Sequence, residues 1–288
     1  MVKVTADSTV AIIQARLASV RFPGKVLAEV DGLPLVEYML KRVKRATSIN
    51  GIVLAVPEQD ATSPLREIAV RHGAQLMSGD ERDVLSRFAH VVEVVRPKVV
   101  VRLTADCPLV DPAVIDEAVQ TFVSEGADYL RTGSSYPDGL DVEVLSPSWL
   151  LEASRLSQNP HEREHVTPWL AGNEILHRIS IENEKDLGHL RLTVDERKDL
   201  EVVREVIRAI APSHVDTESI AALYESQPWI FDGNSDLDRD EGSRLSDGQK
   251  LWRLSKRVIP GGVSLLSKRP DMNLPGAWPT YFNSSKVC

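Results

Sequence analysis

The run at 98–103, KVVVRL, is apolar almost throughout and shows no alternation of polar and apolar residues. A strand with no polar face has to be buried on both sides, as happens in a parallel sheet covered by helices. The surrounding chain agrees with that reading. Val10 to Ile13 is a short β-rich run, and Ile52 to Val56, after Gly51, is another. Between them, residues 34–43 set Leu35, Val36, Met39, Leu40 and Val43 at helical spacing. A second helix is predicted from the Ser63-Pro64 pair to the His72-Gly73 stop, because Pro suits a first turn and Gly a C-terminal cap. Helices over 83–95 and 112–126, a strand over 128–131, and a strand-plus-helix over 190–210 (LRLTVD, then DLEVVREVIRAI) continue the alternation. Such alternation predicts βαβ units and an α/β fold around a doubly wound sheet. Ligands of these sheets bind beyond the carboxyl ends of the strands. The loops after Ile13 and Leu103 fall at that edge, and both are unusually polar.

A chain of 288 residues holds one large domain or two small ones. Its net charge of −8 disfavours a general nucleic-acid binder, although an acidic protein still binds nucleotides when its cations converge in one cleft. Cys107 and Cys288, without CxxC spacing, exclude a cysteine-rich zinc site and argue against a disulfide scaffold. No apolar run approaches the roughly 18–20 residues that span a bilayer. The start, MVKVTADSTV, lacks the pattern of a signal peptide. Cytoplasm is therefore the expected compartment, with neither membrane nor nucleic acid as a partner.

Five segments carry chemistry. In AIIQARLASVRFPGK, Arg16, Arg21 and Lys25 lie close together in a loop opening from a strand end, where cations and free N–H groups suit a triphosphate. On spacing alone a solvated basic loop reads the same, and neither GxxxxGK[ST] nor GxGxxG is present. In VVVRLTADCPLVDP, Asp106 follows a strand and either suits Mg²⁺ or simply caps a helix, while Asp111 precedes Pro112 as a helix cap. In YPDGLDVEV, Asp138, Asp141 and Glu143 flank the Gly139 turn, either as ligands for sugar hydroxyls or as exposed turn carboxylates. HEREH, with Glu162, Arg163 and His165, matches HExxH formally, but Pro160 and Pro168 leave room only for a short helix and no third ligand is evident. In LRLTVDERKDL, Asp195 ends a strand-like run and, with Asp106, makes a two-carboxylate Mg²⁺ site. A glycosyltransferase would carry DxD at the strand end, whereas the run here is TADCP.

Taken in order, AIIQARLASVRFPGKVL, GDERDVLSRF, VRLTADCPLVDP, PDGLDVEV, EREHVTPW and LRLTVDERKDL resemble the cytidylyltransferases of spore-coat polysaccharide, acylneuraminate and Kdo metabolism, across roughly residues 8–230. The spore-coat branch is the most similar. The resemblance implies a nucleotidyltransferase sandwich, Rossmann-like and GT-A-like, with a mostly parallel sheet. It implies transfer of CMP from CTP to an acidic sugar, with Mg²⁺ and release of pyrophosphate. Gln14, Ala15, Arg16, Arg21, Lys25, Asp80, Arg82, Thr104, Ala105 and Asp106 would bind the nucleotide, with Arg16, Lys25 and Asp106 catalytic. Asp106 and Asp195 would hold the metal. Asp138, Asp141, Glu143, Glu162, Arg163 and His165 would face the acceptor. Ala105 departs from the Gly usual before the Asp, which narrows the space there without removing a reacting group. Pairing into a homodimer is also implied.

After Trp229 the chain becomes acidic and rich in Gly and Ser. This places a cytidylyltransferase-like domain at 1–231 and a linker at 232–248. Residues 249–288 resemble the opening of a class-III, glutamate-1-semialdehyde-type aminotransferase. They lack its downstream lysine and cofactor pocket, and read as the start of a fused domain cut short.

Overall fold

The computed structural model describes residues 8–237. In chain order the strands are β1 (Thr9–Gln14), the two-residue β2 (Glu29–Val30) and β3 (Leu33–Pro34), β4 (Gly51–Pro57), β5 (Gln75–Gly79), β6 (Val99–Thr104), β7 (Tyr129–Thr132), β8 (Glu143–Leu145) and β9 (Arg178–Ile181). The helices are α1 (Leu35–Val43), α2 (Pro64–Arg71), α3 (Val84–Val95), α4 (Pro112–Glu125), α5 (Pro147–Leu156), α6 (Pro160–His165), α7 (Pro168–Gly172), α8 (Arg197–Ile210) and α9 (Thr217–Ser226). A seven-stranded sheet runs in the order β5-β4-β1-β6-β8-β7-β9. Neighbours from β5 to β6 are parallel. Strand β8 is antiparallel to both β6 and β7, and β9 is parallel to β7.

The sheet is covered on both faces, as its apolar strands demand. Ala11, Ile13, Leu54, Val101 and Leu103 share one core with Met39 and Leu40 of α1, Leu65 of α2 and Ile115 of α4. Their chain neighbours Val10, Ile12, Val53, Ala55 and Val100 point the other way, into a core with Leu85 and Phe88 of α3 and Leu150 of α5. The period of two along each strand divides the residues between these layers. Phe88 is fully buried, and its truncation to Ala would cost about 3–5 kcal/mol. Helix starts follow the expected chemistry. Asp83 accepts the Ser86 N–H and Asp111 the Ala113 N–H, both at 2.9 Å, caps worth about 1 kcal/mol each.

The run at 190–195 departs from the expected strand. It makes a single bridge, between Asp138 and Arg191, instead of joining the sheet. Its backbone donors are taken elsewhere: Leu192 and Thr193 donate to the Asp138 carbonyl, and Val194 donates to that of Asp106. Leu190, Leu192 and Val194 pack with α8 and α9 in a third core. The folded unit closes at Asp236, beyond Phe231, and Asn234 is buried. Most of the acidic linker, and all of the aminotransferase-like segment at 249–288, lie outside the described residues.

Candidate active site

The loop leaving β1 is folded back onto the carboxyl edge of the sheet. Ala15 N–H donates to the Ala55 carbonyl, Gly24 N–H to that of Leu17, and Leu17 N–H to Asp60 Oδ2 at 2.8 Å. Gly24 adopts φ 72°, ψ 14°, a left-handed conformation that glycine reaches without a Cβ penalty. That turn sends Lys25 inward. Its Nζ lies 2.7 Å from Asp106 Oδ2 and 2.8 Å from Asp195 Oδ1. Arg21 Nη2 stands 2.8 Å from Asp195 Oδ2, and Arg191 Nη2 2.9 Å from the same oxygen.

Asp106 is placed by the end of β6, where Ala105 N–H donates to the Gln14 carbonyl at 3.0 Å. The Val194 N–H then brings Asp195 alongside, with a bond of 2.8 Å to the Asp106 carbonyl. Burial alone would raise the pKa of both carboxylates. The Lys25 ammonium outweighs it for Asp106, and Lys25 with Arg21 and Arg191 outweighs it for Asp195, so both lie below the ordinary carboxylate range. For Lys25, burial opposes the charge but Asp106 and Asp195 together raise its pKa. All three groups are ionised at neutral pH.

Of the residues expected at the site, Arg21, Lys25, Asp106 and Asp195 are thus brought into one cluster. Arg16 is exposed beside the buried Arg87. Asp80 Oδ1 accepts the N–H groups of Arg82 and Asp83, closing the exposed turn before α3. Gln14 Oε1 accepts from Arg102 at 3.2 Å, and Arg102 pairs with Glu143, which also accepts the Tyr129 hydroxyl. Burial, then Glu143, pushes that hydroxyl well above its usual pKa. Thr104 Oγ1 lies 3.1 Å from Cys107 Sγ. Burial and Asp106 push the Cys107 thiol up as well, so it stays neutral. Asp138 pairs with Arg191 at 2.7 Å, and Asp141 Oδ2 accepts the Gly139 N–H at 3.0 Å.

Glu162 and Arg163 form a separate group. Arg163 Nε donates to Asp83 at 2.7 Å and its Nη1 to the carbonyls of Ser154 and Ser157, while Glu162 accepts from the Ser157 hydroxyl. The rings of His161 and His165 are 4.4 Å apart. Helix α6 ends after six residues because Val166 turns to φ 71°, ψ −55°. Thr167 N–H then bonds the His165 carbonyl in a γ-turn. Among the described residues no group of three or more His, Cys, Asp or Glu is placed to hold a metal.

Sequence reasoning passed over Arg191 and Asp199. Arg191 precedes Asp195 by one helical turn in number but lies in an extended run, where no periodicity marks it. Asp199 reads as an ordinary first-turn acid of α8, although it is fully buried.

A covered, mostly parallel sheet with a charged centre at the carboxyl ends of β1 and β6 has the α/β architecture that nucleotidyltransferases use, with its ligand edge at that centre. Residues 10–227 match the model of the cytidylyltransferase family, and the chain belongs to that family. It is 31% identical over 201 residues to the spore coat polysaccharide biosynthesis protein SpsF of Bacillus subtilis, covering 67% of this chain and 83% of that one. It is 36% identical over 138 residues to a 3-deoxy-manno-octulosonate cytidylyltransferase of Geobacter sulfurreducens, covering 48% of this chain and 54% of the relative. A solved cytidylyltransferase of Leptospira borgpetersenii aligns with a TM-score of 0.74 at 26% identity, over 78% of this chain and 97% of that one.

Proposed function

We propose that this cytidylyltransferase moves CMP from CTP onto an acidic sugar, a 2-keto sugar acid or a close relative, releasing pyrophosphate for surface polysaccharide or glycan synthesis. The observation that carries the site assignment is the Lys25 ammonium lodged between Asp106 and Asp195 at the carboxyl edge of the sheet. Two ionised carboxylates converge there on a point that already takes positive charge. Oxygen donors of this kind suit Mg²⁺, which completes its shell with phosphate oxygens and water. Asp106 and Asp195 would hold Mg²⁺, which would supply Lewis-acid polarisation of the phosphate.

Arg16, Arg21 and Lys25 offset the charge that develops on the departing pyrophosphate. Gln14, Ala15, Thr104 and Ala105 shape the floor beneath the nucleotide, and Asp80 and Arg82 close its side. The attacking hydroxyl belongs to the acceptor, so no protein nucleophile is needed, in keeping with the buried, neutral Cys107. An acidic acceptor is supported by the Geobacter relative, whose name specifies an octulosonate. The turn carrying Asp138 and Asp141, Glu143 at the start of β8, and the segment with Glu162, Arg163 and His165 are the proposed acceptor side. Among the described residues no helix is long and apolar enough to cross a membrane; the cytoplasm is the proposed compartment. A homodimer, and a fused aminotransferase continuing from 249–288, complete the proposal.

The test is pyrophosphate release from each of the four nucleoside triphosphates with Mg²⁺, over a panel of 2-keto sugar acids and sugar phosphates. Release that requires both CTP and one sugar acid is expected. Tight CTP binding without release for any acceptor would overturn the reading in favour of a nucleotide-binding module.

A further inference from the structure

Arg191 is buried, and its guanidinium reaches three carboxylates. Nη1 is 2.7 Å from Asp138 Oδ2, Nη2 is 2.9 Å from Asp195 Oδ2, and Nε is 3.1 Å from Asp199 Oδ1. The three acids come from the turn after β7, from the end of the 190–195 run, and from the first turn of α8. Asp199 is fixed from behind. Its Oδ2 accepts the N–H groups of Asp195 at 2.9 Å and Glu196 at 2.8 Å, and Asn234 Nδ2 donates to its Oδ1 at 2.8 Å. The turn is fixed as tightly. Asp138 N–H donates to the Leu190 carbonyl, and Gly139, at φ 106°, passes so near that a Cβ there would lie 2.4 Å from Thr193 N.

Resting on the function proposed above, we infer that Arg191 is a positioning residue: it holds the acceptor turn and the Asp195 carboxylate in one frame, and so fixes how the sugar hydroxyl meets the nucleotide. A cluster of buried charges is a poor way to add stability, because desolvation cancels much of the attraction. What it supplies is direction. With Oδ2 of Asp195 held by two guanidinium groups, Oδ1 is left facing Lys25 and Asp106, where the metal reading needs it. The planar fork is essential to this, since a lysine is a point charge without three fixed donor directions.

The test compares wild type, Arg191→Lys, Asp195→Asn and the double variant by kcat, by KM for CTP and acceptor, and by Mn²⁺ affinity from electron paramagnetic resonance. Arg191→Lys should fold normally by circular dichroism, lose about 10–100-fold in kcat and bind Mn²⁺ about tenfold more weakly, the usual range for groups that orient a metal ligand. Its KM for the acceptor should rise while that for CTP stays put. The double variant should be no slower than Asp195→Asn, because coupled residues do not add. Losses that multiply in the double variant, or a kcat within about twofold of wild type in Arg191→Lys with unchanged Mn²⁺ affinity, would overturn the assignment. Should Arg191→Lys fail to fold, Asp138→Asn weakens the arm from Arg191 to the turn, and an unchanged acceptor KM there counts equally against it. A wild type that binds Mn²⁺ but releases no pyrophosphate from CTP would fail the proposed function, while the Mn²⁺ comparison still reads Arg191.

Discussion

Asp106 and Asp111 leave the same strand end within one loop, yet their surroundings differ in kind. Asp111 is 3% exposed and meets neutral donors: the Ala113 N–H, the Thr217 N–H at 2.7 Å and the Thr217 hydroxyl at 2.8 Å. Its side chain caps α4 and ties α9 to it. Asp106 is partly open, with 27% of its side chain exposed, and leans on an ammonium carried in by a distant loop. A carboxylate satisfied by neutral N–H and O–H groups is a fastener. One balanced by a side-chain cation holds charge that a cationic ligand can share. The two acids should therefore fail differently when removed.

Replacing Asp106 should have the largest effect. Asp106→Asn is expected to lower CTP-dependent pyrophosphate release by about 10³-fold, the scale of losing a main electrostatic group at a reaction centre. Its urea unfolding midpoint should fall, but by less than that of Asp111→Ala, since Lys25 keeps Asp195 as a partner. Asp111→Ala should do the reverse. Orphaning the buried donors on Thr217 costs about 1–3 kcal/mol each, visible as an earlier urea midpoint, while turnover per folded molecule stays close to normal. A turnover loss in Asp111→Ala as deep as that of Asp106→Asn, at equal folded fraction, would erase the contrast.

Arg21 sharpens it on a smaller scale. Its guanidinium meets Asp195 with a quarter of the side chain exposed, so a triphosphate arriving from solvent can reach it. Arg21→Ala should raise KM for CTP about tenfold, roughly 1.4 kcal/mol, with a smaller change in kcat. Isothermal titration with CTP checks this, and an unchanged affinity refutes a phosphate role for Arg21.

The same contrast explains what the chain disclosed in advance. The parallel half of the fold was legible because β1, β4 and β6 are apolar runs that need cover on both faces, with Pro, Gly and Asp marking the helix ends. The mixed half was not. β8 has only three residues, one charged and two apolar, and β9 has only four, two of them exposed, so neither carries a period long enough to read. In the site, Asp106 and Asp195 stood out as acids at the ends of strand-like runs, and Lys25 as a cation of the loop that opens from β1. Arg191 and Asp199 did not, because their importance lies in burial and in partners brought together across the chain. Glu143 looked like a turn acid, and only the pairing of β8 with β6 sets it against Arg102.

The smallest effect expected is one of pH. Burial acts to raise the pKa of Asp195, but Lys25, Arg21 and Arg191 bring it below the ordinary carboxylate range. A carboxylate lowered on folding contributes stability that is fully present above its unfolded pKa, near 3.9, and is lost as pH falls through the folded value. Lys25 is shifted upward despite burial. Its contribution is present below the ordinary lysine value, about 10.4, and is lost only as pH rises past the raised one. Both windows leave neutral pH untouched. The difference in urea stability between wild type and Asp195→Asn should therefore be flat from about pH 5 to pH 9 and shrink below about pH 4. A difference that instead grows between pH 5 and pH 8 would mean that Asp195 takes up its charge only in that range. The centre would then hold a proton where it is argued to hold exchangeable charge, and its contrast with the neutral fastening at Asp111 would be gone.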